Sequence, residues 1–168
     1  MIVALEFSPD GRQLLSGSLD RTARLWDLAS GREAHRFEGH RMAVASAAFS
    51  GDAARIVTGS WDDTARVWEA ASRRELAVLG GHPASVHDVA FSPDRRTLAV
   101  LSGAGVLKFW SLAAGREAGV IPFDRGTGLG WLEFSPRGQW LAVVSQSGRL
   151  TLLPAPREKP VSYTHLTL

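Results

Sequence analysis

The residue types of a nucleophilic triad occur together in one stretch of this 168-residue chain: His40, Thr58 and Asp62. A hydroxyl, an imidazole and a carboxylate are what base-activated acyl transfer uses, so composition alone admits a hydrolase. His82, His87 and Asp88 offer imidazole and carboxylate ligands to a metal, but no further His lies near them when the chain is aligned on its own period. The run Gly126-Thr127-Gly128-Leu129-Gly130 has the composition of a phosphate cradle. No helical pattern follows it, so it reads as a loop entering a strand. No G-x-S-x-G nucleophile elbow occurs. The chain has no cysteine, which excludes thiol nucleophiles, disulfides and Cys-based zinc sites.

The chain that must position these residues is 45% hydrophobic and 21% charged, which suits a soluble, core-forming unit and not a disordered one. No apolar stretch reaches the ~18 residues of a membrane span, and the N-terminus MIVALEFSPDGRQ lacks the basic and apolar regions of a signal peptide. A cytoplasmic location, with no membrane partner, is the expectation. The net charge is +2, both signs are interspersed, and no basic run occurs, so a mixed solvated surface is expected and nucleic acid is not an expected partner.

The chain repeats itself four times. Phe7, Phe49, Phe91 and Phe134 precede turns at spacings of 42, 42 and 43 residues, and Trp26, Trp68 and Trp110 follow the first three at a constant 19. Leu153 holds that place in the fourth unit. The turns read SPDG, SGDA, SPDR and SPRG, the chemistry of a type I turn between strands. Apolar residues recur ahead of each turn (Val44, Ala47 and Phe49; Val86, Val89 and Phe91), a strand pattern and not a helical one. A second strand follows the turn, a third ends at the Trp column, and a fourth follows a polar loop. Four short strands per repeat make one antiparallel sheet, apolar on both faces, which must stack on its neighbours.

These residues resemble the WD40 repeat β-propellers. The resemblance rests on Gly39-His40 and Gly81-His82, each His 28 residues ahead of its Trp; on Asp20 and Asp62, each six ahead; and on Trp26-Asp27 with Trp68-Glu69 and Trp110-Ser111 as variants. It implies an all-β fold: an incomplete, open propeller of four blades at about 1–38, 39–80, 81–123 and 124–156, each of four antiparallel strands. It also implies a buried hydrogen-bonded tetrad, here His40, Thr58, Asp62 and Trp68, so the apparent triad becomes a structural feature. The first blade keeps Ser16, Asp20 and Trp26, the third keeps His82 and Trp110 beside Val100 and Ala104, and the fourth has Arg125, Ser147 and Leu153 at the His, Asp and Trp positions.

Residues 157–168 read as a disordered tail, and Val161 to Leu168 break the composition, holding the only Tyr in a chain without Asn. VSYTHLTL resembles one frame of a sequencing-library adapter and is expected to be a processing scar on a fragment of a longer protein. The resemblance implies a non-catalytic protein-interaction scaffold, not an enzyme, without cofactor or metal. A second reading is the regulatory propeller of a larger bacterial enzyme, a kinase or caspase-like protease, whose catalytic domain lies outside this chain. The expected binding face carries the Gly-His loops and Asp turns, centred on Trp61 with Arg41, Met42, Arg21, Asp63 and Arg125 around it. The other reading of Trp61 is that it only covers its neighbouring blade. The outer faces of the first and fourth blades are expected to be unpaired and to drive self-association.

Overall fold

The computed structural model describes residues 1–122, 130–145, 148–156 and 166–167, and among these every regular element is a strand. The first sheet is β1 (Ile2–Phe7), β2 (Gln13–Ser18), β3 (Ala23–Asp27) and β4 (Arg32–Phe37), antiparallel in chain order. The second is β5 (Val44–Phe49), β6 (Arg55–Ser60), β7 (Ala65–Glu69) and β8 (Glu75–Leu79). The third is β9 (Val86–Phe91), β10 (Thr97–Ser102), β11 (Val106–Ser111) and β12 (Arg116–Pro122). The fourth is β13 (Trp131–Phe134), β14 (Trp140–Val144), β15 (Leu150–Pro154) and a two-residue β16 (Leu166–Thr167).

Residues 166–167, within the stretch expected as a tail, pair with Thr151 and Leu152 of β15. The open edge of β15 presents backbone N–H and C=O groups that an extended segment of any composition can pair with, so composition could not reveal the strand. Residues 157–165 and 168 lie outside the described residues.

In the first three blades the apolar spacing ahead of the turn is three and then two because each of their inner strands carries a β-bulge. Val44 pairs with Ser60 and Ser46 with Gly59, leaving Ala45 as the extra residue; His87 occupies the same place in β9. The bulge turns Val44 back onto the face of Ala47 and Phe49, so all three enter one core.

The blades stack in order, with β1 against β5, β5 against β9, and β9 against β13, so these strands form the inner edge of the stack. Three apolar layers separate the four sheets. Leu15, Leu25, Val44, Phe49, Ile56 and Trp68 fill the first; Val57, Val67, Val86, Val89 and Leu98 the second; Leu107, Phe109, Leu132, Leu141 and Leu153 the third. Each such side chain taken from water contributes roughly 1.5–3 kcal/mol before entropy is counted. Close approach is achieved by pairing a glycine with a larger residue. A Cβ on Gly59 would lie 2.7 Å from Val86 Cγ1, whereas at the next gap Leu101 stands in the Gly59 position and Gly130 yields the space. The stack is open: Leu5 and Phe7 on the far face of the first blade are each 63% exposed, and Trp131 on the far face of the fourth is 65% exposed.

Candidate functional site

In the second blade His40, Thr58, Asp62 and Trp68 form one hydrogen-bonded chain. Trp68 Nε1–H donates to Thr58 Oγ1 at 3.0 Å, Thr58 Oγ1 lies 2.8 Å from His40 Nε2, and His40 Nδ1 lies 3.0 Å from Asp62 Oδ2. The carboxylate can only accept, so His40 carries its proton on Nδ1 and its Nε2 accepts from the Thr58 hydroxyl. Burial lowers the His40 pKa against the pull of Asp62, which keeps the ring neutral. Burial works against the Asp62 carboxylate, but hydrogen bonds from Thr64, the Arg41 N–H and His40 outweigh it and bring its pKa down to about 2. The Thr58 hydroxyl is fully buried and committed to both neighbours, so the constellation holds no free nucleophile. Gly39 makes the loop possible: its φ is 134°, and a Cβ there would lie 2.7 Å from Arg66 Nη1.

The other blades keep parts of this chain. In the first, Trp26 Nε1–H donates to Ser16 Oγ at 2.9 Å, while Asp20 turns to Thr22 Oγ1 at 2.6 Å and Arg24 Nη2 at 2.5 Å. In the third, both ring nitrogens of His82 and the Trp110 indole nitrogen are buried without a partner, with the two ring centroids 6.2 Å apart. Burial, with the Lys108 charge nearby, lowers the His82 pKa to about 4. In the fourth, Leu153 is buried in the apolar layer; Arg125 and Ser147 lie outside the described residues, as do residues 126–129 of the glycine-rich run.

His82, His87 and Asp88 do not converge on a metal position. Asp88 accepts from Ser46 Oγ at 2.6 Å and from the Leu132 N–H at 2.8 Å, so both its oxygens are occupied by protein donors. Among the described residues no three His, Asp or Glu side chains gather in a metal-binding group.

One edge of the stack carries the Gly-His loops and the Asp turns, and the same backbone bond ties them together in three blades. Leu19 N–H donates to Met1 O at 2.9 Å, Trp61 N–H to Ala43 O at 3.0 Å, and Gly103 N–H to Ser85 O at 2.8 Å. Ser85 of the third blade also donates through its hydroxyl to Trp61 O, so the Trp61 backbone is held from two sides. Trp61 is 36% exposed, and Arg41 and Met42 of the loop it bonds are exposed as well. Arg21 and Asp63, exposed at matching turn positions, hold left-handed backbone at φ 74° and 64°.

The family described as WD domain, G-beta repeat matches residues 2–27, 31–69 and 73–111, more than half of the chain, in the segments that carry the Trp columns and two of the Asp turns. The chain belongs to the WD-repeat family. Its fourth blade, without the Trp and the Asp, lies outside the matched residues. Similar WD-repeat stretches occur in a dynein assembly factor with WD repeat domains 1 of Danio rerio (48% identical over 42 residues, 25% of this chain and 10% of that protein). They occur also in the probable serine/threonine-protein kinase PkwA of Thermomonospora curvata (53% over 38 residues, 23% and 5%) and in mitochondrial division protein 1 of Mycosarcoma maydis (51% over 39 residues, 23% and 5%). The matched stretch spans a tenth or less of each relative's length. Among the described residues no helix is long and apolar enough to cross a membrane.

This WD-repeat chain has one structural feature that sequence reasoning missed. Glu6 and Asp88 project from inner strands toward the next blade, Glu6 Oε1 accepting from the Phe49 N–H at 3.3 Å. These carboxylates satisfy backbone N–H groups on the open edge of the neighbouring inner strand. They line an inner groove of about 510 Å³ together with Ser46 and His87. The signal was present as acidic residues at inner-strand positions where the other repeats among the first three carry Ala or Ser.

Proposed function

We propose that this chain is a non-catalytic protein-interaction scaffold whose binding face is the edge of the Gly-His loops and Asp turns, centred on Trp61. The observation that carries the reading is a part-exposed Trp on a rigid support. Its N–H and C=O are both bonded within the stack, so binding would cost little ordering entropy, and Trp and Arg are the residues most enriched among interface hot spots. Exposed Arg41 and Met42, next to the Ala43 that Trp61 bonds, and exposed Arg21 and Asp63 at matching turn positions would add an adaptable apolar group and charges of both signs. The buried, mutually satisfied tetrad supports a structural role for the triad-like constellation of the second blade. Quantitative pull-down from lysate of the parental organism tests the reading. Trp61→Ala should lose partners that the parent retains, and Arg32→Ala, on the opposite loops, should keep them. Loss with Arg32→Ala but not with Trp61→Ala would place the working face on the other side.

A second reading is favoured by the 53% identity to a stretch of the probable serine/threonine-protein kinase PkwA: a regulatory propeller attached to a catalytic domain. Reading the gene beyond both ends of this chain separates the two, since a kinase or protease domain in frame supports the second and its lack the first.

A further inference from the structure

We infer that the edge of the stack opposite Trp61 is, across the second and third blades, a docking surface for an acidic, Asp- and Glu-rich segment of a partner protein. This edge is made of the turns between β5 and β6 and between β9 and β10, and of the loops between β7 and β8 and between β11 and β12. One backbone bond ties turn to loop in each blade, Ala70 N–H donating to Ala54 O at 3.0 Å and Leu112 N–H to Arg96 O at 2.9 Å. Between the two blades the edge opens into a groove of about 320 Å³ lined by Arg55, Arg95, Asp52, Asp94, Ala54 and Leu112.

Folding sorts charge onto this edge. Residues 50–55, 69–74, 92–96 and 111–116 hold six arginines against three acidic residues, whereas the rest of the chain holds thirteen basic residues against fourteen acidic ones. The three acids are engaged by their own turns: Asp52 accepts from Ser50 Oγ at 2.7 Å, Asp94 from Ser92 Oγ at 2.5 Å, and Glu69 from the Ser72 hydroxyl. Arg55, Arg74 and Arg116 have no ion-pair partner among the described residues, and Arg95 reaches Asp52 at 2.9 Å in an exposed pair that a competing carboxylate can replace. Arg73 and Arg95 stand on left-handed backbone, φ 64° and 63°, where the first blade has Gly31 at 67° and Gly11 at 68°. Such a position favours glycine, so the fold of the turn does not call for arginine there. Each guanidinium offers a fork of N–H donors that a carboxylate meets in pairs. A nucleic acid fits less well: the carboxylates of this edge interrupt the track that a phosphate backbone would follow, and none of these loop residues is aromatic, so no base stacks on them.

Fluorescence anisotropy of a labelled decaglutamate peptide with the whole chain tests this. The peptide should bind at about 50 mM salt and weaken about tenfold at about 300 mM, because exposed charges are screened. Arg74→Glu with Arg116→Glu should weaken it about tenfold or more at the lower salt, with circular dichroism confirming the fold. Arg73→Gly with Arg95→Gly should weaken it about fivefold while keeping or raising the urea midpoint, since glycine suits both positions. Arg36→Glu with Arg149→Glu, the same change of charge at exposed sites toward the Gly-His loops and Asp turns, should cost no more than about twofold. The surface is separate from the Trp61 face, so its failure would leave that reading standing. No binding at the lower salt, an equal loss with the Arg36 and Arg149 pair, or an oligothymidylate of equal charge binding more tightly than decaglutamate would overturn the proposal.

Discussion

The Asp88 carboxylate accepts a hydrogen bond from the Ser46 hydroxyl at 2.6 Å, across the gap between the second and third blades. Its other oxygen accepts from the Leu132 N–H of the fourth blade at 2.8 Å, so one side chain from the third blade ties it to both neighbours. Burial raises the Asp88 pKa against these hydrogen bonds, which marks a charge held where water does not reach it freely. Asp88→Ala leaves the Ser46 hydroxyl and the Leu132 N–H without their acceptor and should cost about 1–3 kcal/mol in urea unfolding. Combined with Ser46→Ala, the two losses should fall short of additive by about 0.5 kcal/mol or more. Strict additivity would mean that the contact carries no energy.

Within the second blade, Asp62→Ala strands the His40 Nδ1–H, the Arg41 N–H and the Thr64 hydroxyl together. Trp68→Phe removes the donor to Thr58 and shrinks a ring that packs 5.2 Å from Phe37. Each should destabilise by about 1–3 kcal/mol. An Asp62→Ala variant melting within about 0.5 kcal/mol of the parent would show that the chain of hydrogen bonds contributes nothing.

These two sites differ in how far the sequence discloses them. The tetrad is legible because its members recur in columns: Trp26, Trp68 and Trp110 fall in one register, and His40 and His82 precede theirs by the same interval. The blade pattern is legible for the same reason. The inner-edge bonds are not, since each joins residues more than forty positions apart and no local pattern requires a carboxylate at position 6 or 88. Asp88 instead invited a metal reading from its proximity to His87. The bulges at Ala45 and His87 are visible only as an odd three-residue step in the apolar spacing, which alternation alone does not explain. Leu166–Thr167 is a strand by backbone pairing, to which composition is blind.

The pH dependence of stability should have two opposed limbs. Burial between the blades raises the Glu6 pKa to about 7, against the Phe49 N–H and with the Asp88 charge adding to it. The folded state then holds a proton that the unfolded state releases above its ordinary value of 4.5, so stability declines as pH rises from about 4.5 to about 7. His82 behaves oppositely: its folded pKa of about 4 lies below the ordinary 6.5, so the unfolded state takes the proton first and stability declines as pH falls from 6.5 to about 4. Urea midpoints measured from pH 3 to 9 should therefore peak where the two windows overlap. Glu6→Gln, which keeps an acceptor for the Phe49 N–H, should flatten the upper limb. His82→Leu should reduce the lower limb without abolishing it, because burial also lowers the His40 and His87 pKa values. An upper limb unchanged in Glu6→Gln would assign it to another group.

The third blade should accept the missing half of the tetrad. Its backbone is already shaped for it: Gly105 follows Ala104 at φ 66°, as Asp63 follows Asp62 at φ 64°, so an Asp at 104 arrives where Asp62 stands in the second blade. Val100, fully buried, occupies the Thr58 position, and Thr has nearly its shape. Ala104→Asp alone should not stabilise, since the Trp110 N–H still faces a methyl group and a carboxylate has been added beside a His with no second partner. Val100→Thr with Ala104→Asp gives the Trp110 N–H an acceptor, His82 Nε2 a donor and His82 Nδ1–H an acceptor, satisfying the three buried nitrogens of this His–Trp pair. Because each buried unsatisfied polar group costs on the order of 1–3 kcal/mol and burying the new hydroxyl and carboxylate offsets part of the gain, the double variant should gain about 1–2 kcal/mol. Nitrogen-15 NMR of the ring should also show His82 fixed as the Nδ1–H tautomer, as the neighbours assign for His40. A double variant no more stable than Ala104→Asp alone would mean that the orphaned nitrogens of His82 and Trp110 are not what limits the third blade.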